Sequence, residues 1–147
     1  MLKIIEYPFM VCARFLLGLG KVLGLNYNQI SVAFNLWLQG GIIVLTSVAP
    51  FVLSVMLLSK SFTWEYLAYS ILFLCNFVFW LLAFFIMLRH YHLPIDHAFY
   101  LCVKDLEELA DKCRMSYYAV NLLIFVFAFL VVIGWHVFAT TVLFGYL

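Results

Sequence analysis

An all-α integral membrane protein with three transmembrane helices is the fold class this sequence predicts, on three observations. The composition is 68% hydrophobic and only 10% charged. The mean hydropathy is +1.13. Three long stretches contain no Asp, Glu, Lys or Arg. A soluble domain carries about 25% charged residues, so a chain of 147 residues with this composition does not form a soluble globule. The whole chain, 1–147, reads as a single membrane domain.

An amphipathic helix is expected over about residues 7–24, because the charged positions there fall on one face. At 100° per residue Lys3, Glu6, Arg14 and Lys21 lie within about 80° of arc, with Phe9, Leu16 and Leu23 on the other side. Pro8 suits a first helical turn, Glu6 the positive end of the helix dipole, and Lys21 the negative end before Gly24. The expected position is in the membrane interface, with Lys3, Arg14 and Lys21 at the membrane surface. A fourth crossing here would put Arg14 near mid-membrane, which is costly. The first residues lack a compact basic run and a small-x-small cleavage site, so insertion is expected to use the internal spans.

The first span is predicted over about 30–58. It exceeds the roughly 30 Å hydrocarbon core, which favours a bend at Gly40-Gly41 or Pro50. Asn26 with Gln29, or Asn28, supplies the N-cap signal. The second span is predicted over about 66–88, capped by Ser61 or Thr63, with Glu65 in the first turn and Trp64, Tyr66 and Tyr69 as an interfacial belt. The short connection makes the first two spans an antiparallel hairpin. The third span is predicted over about 118–143. Between spans two and three, His92-Leu93-Pro94-Ile95-Asp96 reads as a turn with Asp96 as a cap. A helical loop over about 96–115 follows, with Phe99, Cys102, Val103, Leu106, Leu109 and Ala110 on its apolar side.

Charge placement orients this arrangement. With the N-terminus inside, Lys3, Arg14, Lys21, Arg89, Lys104, Lys112 and Arg114 are cytoplasmic and Lys60 is outside, as the positive-inside rule requires. A bacterial inner membrane is the expected location, with the C-terminus outside; an organelle membrane is the alternative.

The spans lack the ionisable residues that mark proton and ion pathways, which argues against a coupled transporter. Their polar residues, Asn35, Gln39, Asn76, Asn121 and His136, read as helix-to-helix hydrogen-bonding groups. Ala33, Gly40, Ser47 and Ser54 recur every seven residues and form a small-residue seam for a closely packed helix, from span two or from a partner. A bis-histidine haem is not expected, since His90 and His92 lie at the opposite end of the spans from His136. His90, His92, Asp96 and His97 suggest at most a hydrated metal cluster, and no metal or other cofactor is expected. Cys12, Cys75, Cys102 and Cys113 form no C-x-x-C pair, so neither disulfide nor metal is expected of them. No nucleophile stands beside a base, and Asp105, Glu107, Glu108, Asp111 and Lys112 read as a solvated face. The net charge of +1 argues against nucleic acid as a partner.

The expected function is therefore non-catalytic: a small accessory or scaffold subunit of a larger respiratory, secretion or transport complex. Its expected partners are other integral membrane subunits, the bilayer, and a soluble protein at the 89–116 loop. The alternative is a homo-oligomeric pore, holin-like, or a curvature-inducing protein. The absence of a highly charged C-terminal tail counts against the holin-like form.

Overall fold

The computed structural model describes residues 2–91 and 94–147, and every regular element among them is helical. Helix α1 is Leu2–Leu23. Helices α2, Tyr27–Lys60, α3, Trp64–His90, and α5, Tyr117–Gly145, are each long and apolar enough to cross a membrane. Helix α4, Ile95–Cys113, joins α3 to α5. Five helices thus match the five expected, with three departures at their ends.

Helix α1 begins well before residue 7, so Pro8 lies inside it and no acid occupies its first turn. Pro8 stands beyond the first turn, so it cannot supply the N–H that would bond the Ile4 carbonyl, and its ring crowds that carbonyl. Helix α2 begins at Tyr27, not Ile30, because Asn26 forms a full capping box. Asn26 Oδ1 accepts from the Gln29 N–H at 2.9 Å, and Gln29 Oε1 accepts from the Asn26 N–H at 3.1 Å. Asp96 does not cap α4; Pro94 stands before the helix and Asp96 sits in its first turn, where a carboxylate suits the dipole. Thr63 caps α3, its hydroxyl accepting from the Tyr66 N–H at 3.2 Å.

The described residues divide into two compact units, Met1–Gln39 with Leu88–Ala128, and Gly40–Met87 with Phe129–Leu147. The first unit is built twice from one plan. Shifted by 90 residues, α1 and the start of α2 correspond to α4 and the start of α5. Phe9 matches Phe99, Cys12 matches Cys102, Leu16 matches Leu106, and Tyr27 matches Tyr117. Both copies close their first helix with a left-handed residue, Gly24 at φ 69° and Arg114 at φ 53°. In both, the next N–H reaches back to a small residue, Leu25 to the Gly20 carbonyl at 2.8 Å and Met115 to that of Ala110 at 2.9 Å. This is the Schellman ending.

Cys12–Leu16–Gly20 and Cys102–Leu106–Ala110 form i,i+4 ridges, of which Leu16, Gly20, Leu106 and Ala110 are buried. Each first helix packs against the start of both α2 and α5. The contacts are reciprocal. Phe9 meets Tyr117 edge-on at 6.3 Å, and Phe99 meets Tyr27 edge-on at 6.0 Å. Each copy therefore contributes a Phe to the other copy's Tyr, the arrangement expected of two units related by an internal two-fold.

In the second unit, Leu57, Phe73, Ala139 and Leu143 form the core. Phe51 and Phe77 stack at 6.2 Å. Gly40 lies under the Phe84 ring, where an added Cβ would come within 2.7 Å of it.

Candidate functional site

The first unit holds a cleft of about 320 Å³ between α1 and the first turns of α2 and α5. Two π-helical segments shape it, Ala33–Leu38 in α2 and Leu123–Ala128 in α5. They occupy equivalent positions in the two copies. A π turn shifts the side-chain register and breaks the regular carbonyl ladder, and such turns recur at functional sites. Within the unit, Gln39 Nε2 of α2 donates to the Phe125 carbonyl in the α5 π segment at 3.0 Å.

Phe15, Leu16 and Phe34 make the cleft apolar, whereas Ser31, Asn35 and Asn121 give it hydrogen-bonding groups; no Asp, Glu, Lys or Arg lines it. Asn35 Nδ2 donates to Ser31 Oγ at 3.3 Å, and Asn121 bonds the Tyr117 hydroxyl. Each of these amides has a bonding partner four residues away in its own helix. The physical reason is the four-residue spacing of each pair, which puts both members on one helix face.

The same site exists a second time, nearly filled. Its counterpart is lined by Cys102, Val103 and Leu106 of α4 in place of Cys12, Ala13 and Leu16 of α1, and shares Ser31, Asn35 and Asn121. It holds only about 20 Å³, room for about one water. Where α1 presents Ala13, α4 presents the larger Val103.

The second unit carries a separate polar network on three helices. Asn76 Nδ2 donates to His136 Nε2 at 3.1 Å. That leaves Nδ1 as the protonated nitrogen of a neutral imidazole, donating to Thr46 Oγ1 at 3.0 Å. The Thr46 hydroxyl in turn donates to the Ile42 carbonyl at 2.9 Å, and Trp80 Nε1 donates to Asn76 Oδ1 at 3.2 Å. His136 is only 1% exposed, and no buried side-chain polar atom among the described residues lacks a partner. Asn76 and His136 thus make the cross-helix bonds expected of them, as Gln39 does. A network in which each of these atoms has a partner suits the packing of the three helices that carry it.

The small-residue seam serves the chain's own packing. Ser47 and Ser54 are fully enclosed and bond the Val44 and Phe51 carbonyls at 2.7 Å. Ser47 and Ser54 thus take part in packing within the chain, one of the two roles the seven-residue spacing allows. Gly40 takes Phe84 of α3, and Ala33, half-buried, opens the α2 π segment.

Outside the spans, Asp105 Oδ2 accepts from the Tyr91 hydroxyl at 2.8 Å and lies 3.3 Å from His90 Nε2. Burial, and then the bond to Asp105, holds the Tyr91 hydroxyl far above its usual pKa. Burial pushes the Cys102 thiol up to about 11, with the Asp105 charge adding to it, so Cys102 is a neutral core group and not a nucleophile. Among the described residues no three His, Cys, Asp or Glu gather closely enough to hold a metal; His92 lies outside those residues. All four cysteines are free thiols.

Phe9 and Leu16, expected to face the bilayer, pack inside the protein, with Phe9 against Tyr117 and Tyr118. The side of α1 left open carries Val11, Phe15 and Val22 next to exposed Arg14 and Lys21. The side chain of Lys3 lies outside the described residues. The cleft escaped the sequence reading because its lining comes from four separated segments. The signal that could have revealed it was the 90-residue repeat of Phe, Cys, Leu and Tyr. No family model, curated protein or solved structure matches the chain.

Proposed function

We propose that this protein is a non-catalytic scaffold subunit of a larger assembly in the bacterial inner membrane. The observation that carries this reading is the state of α3. Only Ser70 and Phe73 of its 27 residues are buried, and large groups such as Leu72, Phe79, Leu82, Phe85 and Ile86 stay exposed around it. A helix this apolar on every side is stable only against lipid or other helices. Its aromatic groups offer the broad surfaces that helix-rich assemblies bury.

The internal polar groups support a structural role, because His136, Asn76 and Gln39 are consumed in holding helices together. In this reading the N-terminus is cytoplasmic. Helix α1 lies in the membrane interface, with Val22 in the lipid and Arg14 and Lys21 among the headgroups. The outer face of α4, carrying Glu107, Glu108 and Asp111, meets a soluble partner.

Purification of tagged protein from its native cells in mild detergent, followed by native mass determination, tests this. Stoichiometric foreign membrane subunits are the expected result. A homo-oligomer alone overturns the scaffold reading and favours a pore or a membrane-shaping protein.

A further inference from the structure

We infer that the open cleft of the first unit binds a single-chain, uncharged amphiphile: one hydrocarbon chain ending in a small ester, amide or hydroxyl head. This goes beyond a scaffold role and stands independently of it.

Four observations lead to this class of ligand. Its volume of about 320 Å³ lies at the lower end of ligand cavities, which suits one chain and not a two-chain phospholipid. The wall has no charged side chain, so a charged head would enter without a counter-ion and lose its hydration. Ser31, Asn35 and Asn121 lie on the first turns of the apolar helices α2 and α5, facing the cleft. Their amides and hydroxyl both donate and accept, the pattern that reads a carbonyl or hydroxyl head and cannot select an ion. Phe15 and Phe34, edge-on at 6.1 Å, supply the apolar wall for the chain.

A comparison within the molecule adds to these four. The repeat-related site has the same Ser31, Asn35 and Asn121 but holds only about 20 Å³. The same polar groups therefore stand beside one filled site and one open one. Interiors are normally packed without such voids, and an opening retained in one copy beside hydrogen-bonding groups is the mark of an occupied site.

The test uses the full chain in nanodiscs with two diazirine-bearing probes of equal chain length, a monoacylglycerol and the corresponding fatty acid anion. After irradiation, the adducts are mapped by peptide mass spectrometry. The monoacylglycerol is expected to label the cleft wall, at Phe15, Phe34 or Val126, and unlabelled monoacylglycerol to compete it away. Ala13→Val should cut that labelling about tenfold, as loss of room for a methylene-sized group does in an apolar pocket. Asn35→Leu should cut it while keeping the space apolar. Ser31→Ala, which removes a hydroxyl without filling the space, should weaken it as well, which keeps the proposal testable should the valine variant fail to fold. Equal cleft labelling by the anion overturns the uncharged head. Labelling spread over the exposed faces of α3, unchanged by Ala13→Val and Asn35→Leu, overturns the site.

Discussion

Arg114 and Gly24 do the same work with different side chains. Each ends a helix in the left-handed region, which costs an L-residue with a Cβ about 1–2 kcal/mol and glycine almost nothing. Gly24 meets nothing within 4 Å of an added Cβ, so the difference between the two sites is one of backbone conformation, not of space. Arg114→Gly is therefore expected to stabilise the protein by about 1 kcal/mol, and Gly24→Ala to destabilise it by about the same amount. Unfolding in mixed micelles with rising SDS reads both. Shifts of the same sign for the two variants would refute this account. Gly24 was legible in the sequence as a helix end. Arg114 was not, because only the folded backbone reveals a positive φ on a residue that ordinarily continues a helix.

At the scale of the helix, the spans are apolar enough to be found by counting, yet their contacts depend on a few polar groups. The His136 to Asn76 bond joins α5 to α3, and the His136 to Thr46 bond joins α5 to α2. A double-mutant cycle on His136→Leu and Asn76→Leu is expected to give a coupling of about 0.6–1.7 kcal/mol, the range measured for hydrogen bonds between membrane helices. Additive losses would mean that the two side chains act independently, and that packing alone holds these helices. The sequence showed that Asn76 and His136 are polar groups inside spans, so their role in bonding helices followed. It did not show that Thr46 completes the network, because a threonine four residues from a free carbonyl ordinarily bonds only its own helix. Nor did it show the π turns, since nothing in Ala33–Leu38 or Leu123–Ala128 departs from ordinary helix formers.

Over the whole molecule, the basic residues gather at α1, the end of α3 and α4, leaving Lys60 at the other end of α2. With the N-terminus cytoplasmic, Cys113 at the end of α4 is on the inner side, whereas Cys75 lies within α3 among lipid; both are exposed at the protein surface. In variants retaining one of these cysteines, a membrane-impermeant maleimide should label Cys113 only after the membrane is opened, and should leave Cys75 unlabelled in both cases. Labelling of Cys113 in intact cells would invert the orientation. The duplicated plan of the first unit is the largest feature that pattern reading missed. Its matched positions are spread among residues that hydrophobic periodicity treats alike, so Phe9 with Phe99 or Cys12 with Cys102 stands out only once the two Schellman endings and the two π segments align.

The sequence by itself determined that the chain is helical, where its three apolar spans lie, and which few residues could cap α2 and α3. Hydrophobic length and capping chemistry act through neighbouring residues, so a single chain carries them. Only the tertiary structure decided that Ser47 and Ser54 are enclosed, that Leu16 turns inward, and that a cleft stays open beside α1 while its counterpart beside α4 is nearly filled. Those outcomes depend on which residues from distant segments share a space, and that carries no periodicity that a linear pattern could show.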